Sequence, residues 1–342
     1  MRLILVGFGT VGRGVADSLV EALPALKSRG LEPRVVAVVD PVVGSVAHAE
    51  GLDLERLVAL ADAGEPLSKH PGTEALSGVD DAIASAGGDV LVELTPTDLQ
   101  TGQPGLGHVR AAIAAGLHVI TTNKGPIALA YRELAEAALA GGVELRFEGT
   151  VMSGTPVLNV CESGLAGAGI EGIRGVVNGT CNFILSQMEE GFGFDDALAE
   201  AQSLGYAEAD PSGDVDGWDA AAKALILANC VLGADLSIEE VHRHGIRDIS
   251  LVDVEAAAVE GKSWRLVVRV DRADSGWRAS VAPEAVDRQD PIGGLTGPGN
   301  MLVFDTLALG EVVVAGPGAG RRATGHAVIA DLIGLHHHRS GE

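Results

Sequence analysis

Glu208, Asp210, Asp214, Asp216, Asp219 and Lys223 share one stretch, GYAEADPSGDVDGWDAAAK (205–223), in a chain otherwise rich in Gly, Ala, Val and Leu. Carboxylates this dense beside a lysine read as an active site, with the lysine a candidate for proton transfer or substrate binding. Turn formers in its first half (Gly205, Asp210-Pro211, Gly213) predict an ordered loop, and from about Asp216 a helix follows, with Asp214 or Asp216 as its cap. Four-residue spacing sets Asp219 and Lys223 on one helical face, where they pair with each other or converge on a ligand. Such a pair is in general a solvated ion pair. Two features favour chemistry here: lysine occurs only as Lys27, Lys69, Lys124, Lys223 and Lys262, and Lys223 runs into the apolar ALILANCVL, whose helix must be mostly buried.

The elements that hold this stretch follow from the rest of the chain. A length of 342 residues predicts two domains, each with its own core. Mean hydropathy of +0.25 beside a net charge of −23 means an apolar interior under a strongly acidic surface. Nucleic acids and anionic membrane surfaces, both polyanionic, are therefore not expected partners. The same charge predicts self-repulsion that salt relieves and fits a salt-adapted host: the melting temperature should rise from low to molar salt, and an unchanged or lowered value would count against this. Cys161, Cys181 and Cys230 lack CxxC spacing and sit in apolar surroundings, which fits reduced thiols in a cytoplasm. Cys181 has no histidine near it in sequence, and a buried inert thiol is expected there. No apolar run reaches the roughly 18 residues of a membrane span, and MRLILVGFG has one basic residue and no cleavage site, so it reads as a strand.

That strand, about Arg2 to Val6, leads into Gly7-Phe8-Gly9-Thr10-Val11-Gly12 and a helix with apolar positions Val11, Val15, Leu19 and Leu23. Strand, GxGxxG and helix in this order form the dinucleotide fingerprint, with backbone N–H groups at the helix start meeting a pyrophosphate. The second strand, RVVAVVD, ends on Asp40, whose carboxylate suits ribose hydroxyls and repels a 2′-phosphate, favouring NAD over NADP; the gap from Gly12 exceeds the usual ~20 residues, and a plain polar strand end is the alternative. Strands at about 89–94, 118–122 and 143–147, with helices near 107–115 and 128–139, predict a parallel doubly wound sheet. Thr95 and Lys124 then lie in loops at carboxyl ends of strands, where ligands bind, although Thr95 alone is equally a turn residue. Beyond Glu148 the chain becomes Gly- and Ser-broken, and WRLVVRV and WRASVAP, separated by polar Asp271 to Gly276, predict a mixed or antiparallel sheet suited to a dimer surface. GIRGVVNGTCNFIL reads as a β-rich half, an Asn178-Gly179 turn and a loop with Thr180-Cys181-Asn182. A strand, a second Gly-rich turn and a last helix close the chain, and His336-His337-His338 reads as a frayed terminus.

The 205–223 stretch resembles the substrate-site signature of homoserine dehydrogenases. The resemblance extends over nearly the whole chain, through TPTDL, TTNKGPIA, FEGTVMSGTPVL, the NGTxN-like NGTCN and GPGAG. It implies an α/β fold class: a discontinuous Rossmann-type nucleotide-binding domain (1–150 and 311–335) plus an α+β catalytic and dimerisation domain (151–310), with a tail at 336–342. The activity implied is reversible NAD(P)-dependent reduction of L-aspartate 4-semialdehyde to L-homoserine, in a cytoplasmic homodimer. Lys223 would be the proton donor and acceptor, Asp219 and Glu208 would hold substrate and an ordered water, and Lys124 would stabilise charge at the reacting oxygen. Thr180, Tyr206 and Asp214 would complete the substrate site, and Thr95, Lys124, Gly205 and Gly320 would join the glycine loop and Asp40 at the cofactor. Glu148, Val151, Ser153 and Thr155 would wrap a sodium ion, largely through backbone oxygens. A short form without a C-terminal regulatory domain, hence without a dedicated threonine site, is also expected. Alternatives are another two-domain amino-acid dehydrogenase, such as one acting on aspartate, and a non-catalytic NAD(H)-binding redox sensor; an intact Lys223, Asp219 and Glu208 set favours catalysis.

Overall fold

The computed structural model describes residues 1–274 and 276–340 and divides into two units, Met1–Gly154 with Gly320–Glu342, and Thr155–Ala319. The first unit runs β1 (Arg2–Val6), α1 (Thr10–Ser28), β2 (Arg34–Val39), β3 (Val46–Ala47), α2 (Leu54–Asp62), β4 (Glu74–Ala75), α3 (Val79–Ser85) and β5 (Val90–Glu93). It continues through α4 (Gly105–Ala114), β6 (His118–Thr121), α5 (Lys124–Gly141) and β7 (Leu145–Arg146), and regains the chain at its last helix. The strand order is β4-β3-β2-β1-β5-β6-β7, with β2, β1, β5, β6 and β7 parallel and the short β3 and β4 antiparallel at one edge. Strands buried on both faces read as continuous apolar runs, which is why RLILV and RVVAVV show no alternation. Leu3 and Leu5 pack on one side with Val15 and Leu19 of α1, whereas Ile4 and Val6 pack on the other with Val109 and Ala112 of α4. The direction of winding reverses between β1 and β5, so the crevice at their carboxyl ends is the switch point where such sheets take ligands.

The second unit comprises β8 (Ile170–Val176), α6 (Gly179–Glu189), α7 (Phe194–Ser203), α8 (Ser212–Val215), α9 (Trp218–Ile226), β9 (His242–Arg243) and α10 (Leu251–Val259). It is completed by β10 (Lys262–Ala273), β11 (Gly276–Asp287), β12 (Gly299–Thr306) and β13 (Gly310–Pro317). Their sheet, β13-β12-β8-β10-β11-β9, is antiparallel except for β11 with β9. Helices α6 and α9 pack against β10. Side chains of the opposite register carry the ion pairs Arg174 to Asp290 and Glu311, and Arg269 to Glu284.

Four expectations are corrected. The boundaries of the two units shift: the first extends through 151–154 to Gly154, and 311–319 belongs to the second, because β13 pairs with β12 along its whole length, so the first resumes at Gly320. Thr180, Cys181 and Asn182 form the first turn of α6, since Asn178 caps a helix whose amide at Cys181 donates to its side chain at 2.8 Å. The strand expected at 143–147 shrinks to the two residues of β7. His336–His338 are neither frayed nor a separate tail but part of α11 (Arg321–Ser340), with His336 Nε2 3.2 Å from Arg29 O and His338 Nδ1 3.2 Å from Glu144. The expected spans at 271–276 and 336–342 include Ser275, Gly341 and Glu342, which lie outside the described residues.

Helix α11 packs on α1 with their backbones in close approach: a Cβ at Gly14 would lie 2.2 Å from Arg321 O, and one at Gly325 2.4 Å from Gly14 O. Arg321 adds an ion pair to Asp17 at 2.7 Å.

Candidate active site

Lys223 sits on α9 at 7% exposure, near the start of the apolar run that buries this helix. Its Nζ lies 2.8 Å from Asp219 Oδ2 and donates to Val177 O at 2.6 Å, so the ammonium is held between a carboxylate one turn away and the first carbonyl past β8. Asn178 organises the acids opposite: its Nδ2 donates to Asp214 Oδ1 at 2.7 Å and to Asp219 Oδ2 at 2.9 Å, while its Oδ1 caps α6. One amide thereby offsets the repulsion between two carboxylates and ties them to the start of α6. Thr180 Oγ1 donates to Tyr206 O at 2.7 Å, and the Tyr206 ring packs on Phe183 with 5.1 Å between centroids. Lys223, Asp219, Asp214, Thr180 and Tyr206 are thus joined through α6, α9 and the 205–217 loop.

Neither Asp214 nor Asp216 caps α9. The N-cap is Gly217 at φ +83°, a left-handed conformation that glycine adopts without cost; the helix begins two residues later than expected, after the separate turn α8. Asp216 turns to Arg247 instead, leaving Asp214 for Asn178. Glu208 is exposed, and its carbonyl oxygen accepts from Gln202 Nε2 at 3.0 Å. Burial, then the charges of Asp214 and Asp219, push the Cys181 thiol well above its ordinary value, so it stays protonated and is no nucleophile.

At the other candidate site, Gly7 has φ +98°, and a Cβ there would meet Leu94 O at 2.8 Å, while one at Gly12 would meet Gly7 O at 2.3 Å. A Cβ at Gly9 would meet nothing within 4 Å, and Gly9 and Thr10 are exposed. Two glycines therefore close the turn and the third leaves bare backbone at the start of a 19-residue helix, a fit for the pyrophosphate of a dinucleotide. Asp40 is 8% exposed, and its carboxylate accepts from Phe8 N at 2.7 Å and from Val42 N and Val43 N at 2.8 and 3.0 Å. It locks the glycine loop to the end of β2, a role the sequence reading did not foresee. Thr95 and Lys124 stand at the ends of β5 and β6, Lys124 half-buried as the first residue of α5.

Glu148, Val151 and Ser153 are buried in the turn after β7, where Met152 and Ser153 take φ of +56° and +54°; Glu148 N donates to Asp331 Oδ2 of α11 at 3.0 Å. Thr155, in the second unit, donates to Pro317 O at 2.9 Å. Among the described residues no three His, Cys, Asp or Glu side chains group as metal ligands. The bridging role of Asn178, and Asp331 and the fully buried Glu93 altogether, have no counterpart in the sequence analysis. For Glu93 a signal exists, a carboxylate closing the apolar strand VLVE.

Two family models match the chain: homoserine dehydrogenase, NAD binding domain, over residues 7–148, and homoserine dehydrogenase over 156–333. An NAD(+)-dependent homoserine dehydrogenase of Pseudomonas canavaninivorans is 40% identical over 98% of this chain and 96% of its own, and a homoserine dehydrogenase of Methanocaldococcus jannaschii is 37% identical over 98% of each. Among solved structures, that of a Thiobacillus denitrificans homoserine dehydrogenase matches with TM-score 0.87 and 33% identity over 100% of this chain and 74% of the other. A hyperthermophilic archaeal homoserine dehydrogenase in complex with NADPH matches with TM-score 0.84 and 32% identity over 98% and 97% of the two chains. A doubly wound NAD-binding unit, a mixed-sheet unit holding a lysine among organised carboxylates, and this likeness over nearly the full length place the chain in the homoserine dehydrogenase family.

Proposed function

We propose that the chain interconverts L-aspartate 4-semialdehyde and L-homoserine with NAD(P)(H), with Lys223 as the proton carrier. The observation that carries this reading is the buried Lys223 ammonium between Asp219 and Val177 O. Hydride transfer to the aldehyde carbon, or from the alcohol, is the chemistry a nicotinamide held at the glycine loop would supply. Lys223 gives the carbonyl oxygen its proton during reduction and recovers one during oxidation, and Asp219, 2.8 Å from its Nζ, holds it in place. Asp219 and Glu208 hold an ordered water and the substrate ammonium, Asp214 and Tyr206 flank them, and Thr180 meets the carboxylate at the start of α6. Lys124 stabilises charge at the reacting oxygen. The family likeness assigns Gly205 and Gly320 to cofactor binding together with Gly7 to Gly12, Asp40 and Thr95. The same likeness assigns Glu148, Val151, Ser153 and Thr155 to a sodium ion, largely through backbone oxygens. The second sheet forms a homodimer surface, and a cytoplasmic setting suits the free thiols.

Asp40 lacks an adjacent arginine in DPVVGSV. Its buried carboxylate disfavours a 2′-phosphate, so NAD(H) should serve at least as well as NADP(H). Titrations of both cofactors check this, and a hundredfold NADP preference would remove the selective role of Asp40. Reduction of NAD(P) on homoserine beside malate, aspartate and simple alcohols tests the reaction itself. Oxidation of aspartate in preference to homoserine would replace this reading by an aspartate dehydrogenase.

A further inference from the structure

Glu93 closes β5 with no exposed surface, opposite Val6 in the sheet and so at the switch-point crevice. A carboxylate taken fully out of water persists only when its oxygens are hydrogen-bonded or paired. Its Oε1 accepts from Thr95 N at 3.1 Å and from Thr95 Oγ1 and lies 3.5 Å from His108 Nδ1, while its Oε2 accepts from Thr121 Oγ1 at 3.3 Å. From Thr95 the network continues: Asn123 Nδ2 donates to Thr95 Oγ1 and to Pro96 O, both at 3.3 Å, and Asn123 Oδ1 caps α5 by accepting from Gly125 N at 3.0 Å. Gly105 of α4 closes over it; a Cβ there would come within 2.5 Å of Asn123 Nδ2 and 3.1 Å of Glu93 Oε2. One buried carboxylate thus ties together the 95–97 loop, the end of β6, α4 and the turn that presents Lys124.

We propose that Glu93 is the positioning residue for the nicotinamide end of the cofactor, fixing the 95–97 loop directly and the first turn of α5 through Thr95 and Asn123. The inference rests on the dehydrogenase reading and deepens it. In a doubly wound sheet a dinucleotide lies across the switch point, with its pyrophosphate at the first glycine loop and its two halves on opposite sides. The glycine loop and Asp40 occupy the β1–β2 side, and the Glu93 network occupies the β5–β6 side. Hydride transfer tolerates little misplacement of the ring, so the network contributes through position without touching the reacting atoms.

The division between halves gives the test. Glu93→Gln keeps the size but turns one acceptor oxygen into an NH2 that faces donors, and Thr95→Val removes the hydroxyl from the same network. Dissociation constants of NADH and of ADP-ribose, which lacks the nicotinamide, are measured by calorimetry on wild type, both variants and the double variant, together with kcat. NADH should weaken about tenfold in each single variant, as for a lost hydrogen bond to a charged group, with ADP-ribose little changed and kcat reduced. The double variant should weaken NADH no further than the worse single one, because the two side chains act as one unit. Equal weakening of both ligands would make Glu93 a general support of the domain and overturn the proposal, as would unchanged NADH binding and kcat. Should Glu93→Gln fail to fold, Thr121→Val, which removes the donor to Oε2 at a residue with no assigned contact to the cofactor, decides in its place by the same measurements. A wild-type protein that binds neither ligand would remove the dehydrogenase reading together with this one, whereas normal wild-type binding with unaffected variants removes the Glu93 role alone.

Discussion

Lys223→Ala is expected to lower kcat by about 10²–10⁴-fold, the range for loss of a general acid or base, with kcat/KM falling alongside and NAD(H) affinity unchanged. The separation follows from the architecture: Lys223 belongs to the second unit and is bonded there to Asp219 and Val177, whereas the glycine loop belongs to the first. A purely structural lysine would behave otherwise. Removing it would leave Asp219 short of a cationic partner inside a mostly buried helix, and the variant would misfold or raise KM with kcat preserved. Asp219→Asn complements the test, since it keeps the size and the contact with Asn178 but drops the charge; it should weaken homoserine binding more than NAD binding. Steady-state kinetics on both variants, NAD titrated by fluorescence and circular dichroism as a folding check separate the cases. A folded Lys223→Ala enzyme with near-normal kcat would sink the proton-transfer role.

Gly12→Ala and Gly9→Ala should differ in kind. A methyl at Gly12 would sit 2.3 Å from Gly7 O, a backbone atom of a turn already pinned by Asp40 through Phe8 N, so it cannot yield cheaply. Overpacking of this sort costs about 1–3 kcal/mol and displaces the loop, and a shift of the turn also misaligns the N–H groups that meet the pyrophosphate. Gly12→Ala should therefore lower the melting temperature and weaken NAD(H) by about a hundredfold, the product of lost contacts each worth about tenfold. A methyl at Gly9 meets no protein atom within 4 Å, so the fold should tolerate it. Its cost appears only if a ligand approaches the bare backbone there: affinity falls while stability holds. Thermal melts and NADH titrations of the two variants decide. Unaltered NADH affinity in both would place the pyrophosphate elsewhere.

Much of this was legible in the sequence where the signal is local. The glycine loop announces itself because turn, helix start and flanking strand are consecutive, and Asp219 with Lys223 because four residues make one helical turn. Asn178 was read as a turn residue, although asparagine is equally an N-cap, and which it is depends on whether the residues after it are buried; in α6 nearly all are. Its bridge to Asp214 and Asp219 spans 36 and 41 residues and has no local signature. The α9 cap was misassigned for a related reason: two aspartates satisfied the capping rule, but tertiary partners, Arg247 and Asn178, claimed them and left the start to Gly217. Asp40 reads from sequence as a strand end, and its bonds from Val42 and Val43 are those of a local turn, but the bond from Phe8 N emerges only when β2 lies beside β1.

The pairing of α11 with α1 across the whole length of the chain bears on how the protein is made. Residues 155–319 are contiguous and can complete their unit as soon as they leave the ribosome. The unit begun first must wait: Val328 and Leu332 belong to the same core as Leu3 and Leu5, and Gly14 has no backbone to pack on until Arg321 has been added. Synthesis from the amino end therefore leaves the nucleotide-binding half open through most of translation, and the domain that starts the chain is the last to close.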